Sequence, residues 1–213
     1  MRMKGAIDLF QYWDRLRDGR PAPLRTDIEP ADIKSLLADT FILERDARGE
    51  PIFRLAGTRI CATFGRELKG HSFTSLWTAR DERVVARLAH SGFEGGSVIV
   101  IVLEAASMTG RTTQFELILL PLDGGADHPR TLGAMFPMDK PFWLGADPLA
   151  ECRIASLRVV DPDRDPLYLK NRPDVPVPPL SPELGGLGER PLPQRSAPRR
   201  IRHLLVIDGG RDD

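Results

Sequence analysis

The chain has 213 residues, of which 41% are apolar, 7% aromatic and 28% charged. This composition is typical of a globular domain with one sizeable core, and it excludes a fibrous or wholly disordered protein. The 30 basic residues balance the 30 acidic residues, so no global charge favours a polyanion or an anionic membrane as partner.

We expect neither an export signal nor a membrane-spanning segment in this chain. Its longest uninterrupted apolar run, residues 98–103, is far shorter than the roughly 18 residues that span a bilayer. Two cysteines, Cys61 and Cys152, are too few for a disulfide framework or a cysteine zinc site. We therefore expect a soluble, cytoplasmic protein with two reduced thiols.

The first element predicted is an amphipathic helix. Apolar residues recur at the spacing of one helix face, at Ile7, Phe10, Trp13 and Leu16. Glycine and proline within residues 19–23 end this helix. Pro30 suits the first position of a second, short helix, so residues 1–38 are assigned to a helical leader.

A hairpin and a group of helices follow. Residues 41–56 predict a strand, a turn and a second strand, because β-prone segments flank the turn sequence at residues 46–49. Residues 57–77 lack periodicity and contain punctuating glycines, which indicates short helices. Residues 80–90 place apolar and charged side chains on opposite sides of one longer helix.

Three further strands are predicted at residues 98–104, 112–120 and 131–138. The short connections between them favour an antiparallel meander. The fold class is therefore α+β, a five-stranded antiparallel sheet with short helices on one face. Residues 39–142 form the core of this domain, and residues 143–170 extend it towards the C-terminus.

Proline defines the last boundary. Eight of the 19 prolines fall within residues 172–198, so the segment 171–200 is interpreted as a Pro/Gly-rich connector without a helix or a central strand. A β-prone run then opens the final segment, residues 201–213. We expect a short strand docked back on the domain, with a partner-binding peptide as the alternative.

Residues 54–58 and 64–70 resemble a passage of the PAS fold in which a strand ends at glycine, a short helix carries Phe-Gly and a second glycine ends the next turn. The leader is similar to that of a bacterial PAS family best represented in alphaproteobacteria. The residues that carry this similarity are Tyr12, Trp13, Leu16, Arg17, Gly19, Arg20, Pro23, Arg25, Asp27, Ile28, Pro30, Ile33, Leu36 and Leu37. The resemblance covers residues 9–143 and implies a PAS-like sheet with an N-terminal helix, to which the Pro-rich C-terminal extension is added.

The resemblance implies a non-catalytic sensory or regulatory module. PAS domains bind small ligands between sheet and helices, or contact other proteins through the sheet and the flanking helix. The partners it implies are a signalling histidine kinase, another PAS protein or a second copy of the chain. Without an attached output domain in this sequence, we expect any signal to pass through such a partner.

Two sets of apolar residues are candidate sites within this fold. The candidate ligand pocket is formed by Leu55, Phe64, Phe73, Leu76, Trp77, Val100, Val102, Phe115 and Leu117. Large aromatic side chains fill space well, so a filled core is the alternative. The candidate partner interface is formed by Phe10, Trp13 and Leu16, which have covering of their own sheet as the alternative.

Neither a haem, a flavin nor a metal ion is predicted. Flavin photochemistry in this fold uses a cysteine just after the glycine placed at Gly70, where this chain has His71. His90 ends the longer predicted helix, where capping of carbonyl groups is a commoner role than haem ligation. No histidine or cysteine pair has metal-ligand spacing.

Two other functions remain as alternatives. An enzyme using an α+β cavity has no nucleophile, metal or phosphate motif in its favour. Glu104 and Glu116, on neighbouring predicted strands, are as well explained by a solvated sheet face as by acid-base chemistry. A nucleic-acid accessory protein would use the basic cluster of residues 195–202, made of Arg195, Arg199, Arg200 and Arg202, which has no interleaved aromatic residues.

Overall fold

The computed structural model describes residues 1–94, 97–124, 129–163, 199–201 and 204–206. In the first of its two compact units, residues 1–178, the helices are α1 (Lys4–Arg17), α2 (Thr58–Thr63) and α3 (Glu82–Glu94). The strands of this unit are β1 (Thr40–Arg45), β2 (Pro51–Ala56), β3 (Val98–Ser107), β4 (Thr112–Leu122), β5 (Arg130–Pro137) and β6 (Leu149–Val160).

The six strands form one antiparallel sheet in the order β2-β1-β5-β4-β3-β6. All five predicted strands are present, and α2 and α3 lie between β2 and β3 along the chain, as predicted. The predicted count of five strands is wrong, because β6 adds a sixth strand beside β3. The segment interpreted as a plain extension of the domain therefore contains an edge strand.

The edge of β6 that is not paired with β3 is partly covered by the segment that precedes α3. The Thr78 amide donates to the Cys152 carbonyl at 3.0 Å. The Ile154 amide donates to the buried Asp81 carboxylate at 2.8 Å. These bonds satisfy backbone groups that an exposed edge strand would offer to another chain.

Successive side chains of a strand point to opposite faces of the sheet, and here apolar side chains are buried on both faces. On β3, Ile99, Ile101 and Leu103 belong to a buried cluster with α2 and α3, on what we call the inner face. Val98 and Val100 belong to a second buried cluster with α1, on the outer face. The predicted arrangement of helices on one face is therefore incomplete, since α1 covers the other face.

After α1 the leader continues as turns instead of a second α-helix. Around Pro30 the backbone bonds join residues three apart, such as Ile33 N–H to Pro30 C=O at 3.3 Å. Two short 3₁₀ turns, Arg25–Asp27 and Leu37–Asp39, lie between α1 and β1. The leader is joined to the end of β4 where Arg25 N–H donates to Asp123 C=O at 3.0 Å.

Two glycines allow close packing on the sheet. A β-carbon at Gly133 would lie 2.2 Å from the Phe41 ring, so this glycine makes room for an aromatic side chain of the neighbouring strand. A β-carbon at Gly5 of α1 would lie 2.4 Å from the ring of Phe136 on β5. The backbone of α1 therefore approaches the outer face to a distance that only glycine permits.

The second compact unit, residues 179–213, contains a short antiparallel hairpin. Strand β7 (Arg199–Ile201) pairs with β8 (Leu204–Val206), so two strands are present where the sequence predicts one. Residues 164–198, which include most of the predicted connector, lie outside the described residues, and so do Arg195 and Arg202 of the basic cluster.

Within the part of the chain that the structure describes, no helix combines the length and the hydropathy needed to cross a membrane.

Replacement of Gly5 by alanine tests the close approach of α1 to the sheet. Alanine raises helix propensity, which would stabilise a free helix by roughly 1 kcal/mol. Against Phe136, however, the added methyl group overpacks a buried contact, and we expect a net loss of about 1–3 kcal/mol in the free energy of unfolding. Urea denaturation monitored by circular dichroism measures the difference.

The matched control is Gln11→Ala, at an exposed position of the same helix. We expect this variant to be as stable as the parent protein or slightly more stable. A stability gain in Gly5→Ala equal to or above that of the control would contradict the packing of α1 against Phe136.

Candidate functional site

The inner face encloses a small apolar void under α2 and the following segment. Its volume is about 10 Å³, close to the minimum that holds one water molecule. The lining residues are Phe41, Phe53, Ile60, Phe64, Phe73, Leu76, Trp77, Leu103, Leu117, Met135 and Cys152. A void of this size does not accommodate a cofactor or a metabolite without rearrangement of its walls.

A chain of aromatic rings explains why so little space is left. Phe53 lies edge-on to Phe41 and to Phe73, with ring centroids 5.4 and 5.6 Å apart. Phe73 continues to Trp77 at 5.9 Å, again edge-on. Such T-shaped contacts are favourable beyond the burial of area alone, so the rings stabilise one another as a packed core.

The predicted pocket residues fall into two groups. Five of them line the void, namely Phe64, Phe73, Leu76, Trp77 and Leu117, and Phe115 is buried in the same inner cluster. The other three, Leu55, Val100 and Val102, do not line this void. Val100 belongs to the outer cluster, and Val102, two residues further along β3, points to the same face. Leu55 lies on the outer side and is 48% exposed.

Six of the lining residues are not among the predicted pocket residues. The signal for Phe41 and Phe53 was present, because both alternate with residues of the other face in the predicted hairpin. Cys152 belongs to β6, which the sequence analysis did not identify as a strand. Met135 and Leu103 lie in runs that are buried on both faces, where periodicity cannot assign a side.

Trp77 lines this void, and its buried indole N–H has no hydrogen-bond partner in the part of the chain that the structure describes. Burial raises the pKa of the neighbouring Cys152 thiol to about 12, and the charge of Glu151 adds to the shift. The thiol is therefore protonated at neutral pH and behaves as a small apolar side chain.

His90, for which a structural role was expected, is engaged by backbone carbonyls. Its Nδ1 lies 2.6 Å from the Ala86 oxygen, and its Nε2 lies 2.7 Å from the Gly49 oxygen in the β1–β2 turn. Both ring nitrogens thus contact acceptors, and the side chain joins α3 to the hairpin. Because α3 continues to Glu94, His90 lies inside the helix and does not cap its end as expected.

On the outer face, polar contacts hold the amphipathic helix α1 on the sheet. Trp13 is fully buried, and its indole N–H donates to the Pro121 carbonyl on β4 at 2.6 Å. The Tyr12 hydroxyl accepts a bond from the Glu29 amide at 2.9 Å, and burial raises the pKa of this phenol. Each large side chain buried in this way contributes roughly 1.5–3 kcal/mol.

The N-terminus of α1 is capped by a residue of the sheet. Met3, at the N-cap position, makes no capping bond with its own side chain. Instead, the carboxylate of Glu116 on β4 accepts the Arg2 amide at 2.7 and 2.9 Å, and it also accepts the Met3 amide. Glu116 is 0% exposed, so this contact both satisfies the buried charge and ties the helix to the sheet.

In the structure the apolar face of α1 covers the sheet of its own chain, which is one of the two alternatives. Phe10 and Trp13 are 7% and 0% exposed, and Leu16 packs partly buried against the same cluster. In this arrangement the three candidate interface residues face the sheet, so a partner could contact them only after α1 had moved.

The two candidate carboxylates do not form an acid-base pair. Glu116 lies opposite Val102 and caps α1, whereas Glu104 lies opposite Gln114 and binds Arg153 at 2.5 Å. Among the described residues, no group of three or more His, Cys, Asp or Glu side chains is arranged to hold a metal ion.

The two thiols provide a test of the inner core. Cys61 is half-buried, and burial together with the nearby Glu67 raises its pKa, whereas Cys152 is fully enclosed. At about pH 8 we expect iodoacetamide to modify Cys61 slowly and Cys152 only after unfolding. Mass spectrometry of the Cys61→Ser and Cys152→Ser variants separates the two rates. Equal rates in the folded protein would contradict the packed core.

Comparison with protein families identifies the family of this chain. No curated protein matches this sequence. A family model described as a PAS domain matches residues 1–136, well over half of the chain. The matched region runs from α1 to β5 and thus includes both the outer-face helix and the inner aromatic core. The chain therefore belongs to the PAS domain family.

Proposed function

We propose that this protein is a non-catalytic sensory or regulatory module that acts in the cytoplasm through protein contacts made by the outer face of its sheet. Membership of the PAS family supports a sensory or regulatory role in general. The observation that carries the specific proposal is the cap of α1 by Glu116, because the sheet itself holds the helix that covers it.

The mechanism is a shift between two populations. In the closed form α1 covers the apolar outer face. In the open form α1 has left the sheet, and both the apolar stripe with Phe10 and Trp13 and the outer face are free to bind a protein. A partner that binds only the open form shifts the population towards it by its own binding energy.

A second copy of the chain is the first partner to test, because it presents the same stripe and the same face. A histidine kinase or another PAS protein is the further partner class. The filled inner core favours protein contact over ligand binding as the primary input, since a void of about 10 Å³ leaves no room for a metabolite. Cys61 and Cys152 are free thiols, which fits the reducing environment of the cytoplasm.

Replacement of Glu116 by glutamine tests the proposal. The amide keeps the size of the side chain but loses the charge and one acceptor oxygen, which weakens the cap by about 2 kcal/mol. The open population then rises roughly thirtyfold. We expect faster hydrogen exchange in α1 and self-association at lower protein concentration, measured by analytical ultracentrifugation.

The matched control is Glu104→Gln, on the adjacent strand, where the carboxylate is partly exposed and, among the described residues, binds Arg153. This variant should sediment as the parent protein does. A Glu116→Gln protein that exchanges faster in α1 yet stays monomeric, and captures no more of a candidate kinase than the parent, would refute the role of the outer face.

A further inference from the structure

A groove of about 280 Å³ opens at the corner of the sheet that α1 leaves uncovered. Its floor is formed by the edge strand β2, including Ile52 and Leu55, and one rim is the leader segment at Arg25. The opposite rim carries Lys69 and Gly70 from the loop after α2. The groove is therefore built from three separate parts of the chain, on the outer side, and it shares one lining residue, Phe53, with the inner void.

The groove carries an excess of positive charge, although the chain as a whole is balanced in charge. Four cationic side chains line it, those of Arg25, Arg54, Lys69 and Arg130. Among the described residues, one carboxylate, that of Glu44, lines it with them, which leaves three positive charges in excess. Glu44 is already shared between Arg54 at 3.1 Å and Arg130 at 4.0 Å.

Two of the guanidinium groups are not fully hydrogen-bonded. The Nε atoms of Arg25 and Arg130 are both buried, and neither has a hydrogen-bond partner among the described residues, since the Glu44 carboxylate lies 4.0 Å from the Arg130 Nε. A buried charge without its full set of hydrogen bonds is unfavourable, so an anion that brings oxygen atoms beside these guanidinium groups would stabilise them. Guanidinium groups recognise the oxygen atoms of phosphates and carboxylates through paired N–H bonds.

We propose that this groove binds the phosphoryl group of a small phosphorylated molecule. Three excess positive charges match a dianion better than a single carboxylate. The apolar floor at Ile52 and Leu55 accommodates a short apolar body beside the phosphoryl group. Leu55, which is 48% exposed, is covered when such a body is bound.

Binding would also join the leader to the sheet. Arg25 lies in the leader, whereas Arg54 and Arg130 lie on β2 and β5. An anion held by these residues favours the closed arrangement of the leader by mass action. This regulatory consequence rests on the proposed function, but the binding itself does not.

The experiment is a titration of the ¹⁵N-labelled full chain with inorganic phosphate, phenyl phosphate and acetate at constant ionic strength. We expect saturable shifts at the amides of residues 44, 52–55, 69–70 and 130, with phenyl phosphate bound more tightly than phosphate because of the apolar floor. Arg130→Gln and Arg25→Gln should each raise Kd about tenfold or more. Glu44→Gln should lower Kd, because it removes the one repulsive charge.

The matched control is Arg153→Gln, which disrupts a similar arginine–glutamate pair on another part of the sheet and should leave Kd unchanged. The assignment is overturned by the absence of saturable shifts in the parent protein, by acetate binding as tightly as phosphate, or by an unchanged Kd in a folded Arg130→Gln or Arg25→Gln protein. If the parent protein does not bind phosphate but Glu116→Gln self-associates at lower concentration as expected, this site is rejected and the proposed function is left intact.

Discussion

Burial of both faces of one sheet is the constraint on which the rest of this structure depends. The strands β3, β4 and β5 are apolar on both sides, so each face needs a cover. The short helices and α3 provide it on the inner face, and the leader provides it on the outer face. Because the helix α1 lies on the sheet as a separate layer, its contacts at Gly5, Trp13 and Glu116 decide whether the outer face is closed or available.

The sequence predicted the elements better than the sides they face. Turn residues and alternation located the five strands of the PAS core, whose bounds differ from the prediction by only a few residues. Val100 and Val102 were assigned to the wrong face, because the run at the start of β3 is apolar on both faces and has no period. Leu55 was misplaced by a register shift between β1 and β2 that no local pattern announces. β6 was missed although Cys152 and Ile154 alternate with charged neighbours, a pattern that in retrospect marks a half-buried strand.

The same limits apply to the candidate sites. The aromatic residues of the inner void were identifiable because Phe73 and Trp77 are large and lie in the helical stretch of a PAS-like sequence. Whether they enclose a ligand or one another depends on packing in three dimensions, and the structure places Phe41 and Phe53 against them. The cap by Glu116 and the basic groove had no signal in the sequence. Each joins residues that are distant along the chain and are brought together only by the sheet order.

The covering of the outer face by α1 is the central claim, and interproton distances in solution test it most directly. In a nuclear Overhauser spectrum of the full chain, the account predicts cross-peaks between the Gly5 α-protons and the Phe136 ring, and between the Trp13 indole N–H and protons of Pro121. The indole proton should also exchange slowly with solvent. Absence of both sets of cross-peaks, with a rapidly exchanging indole and an otherwise folded sheet, would contradict it.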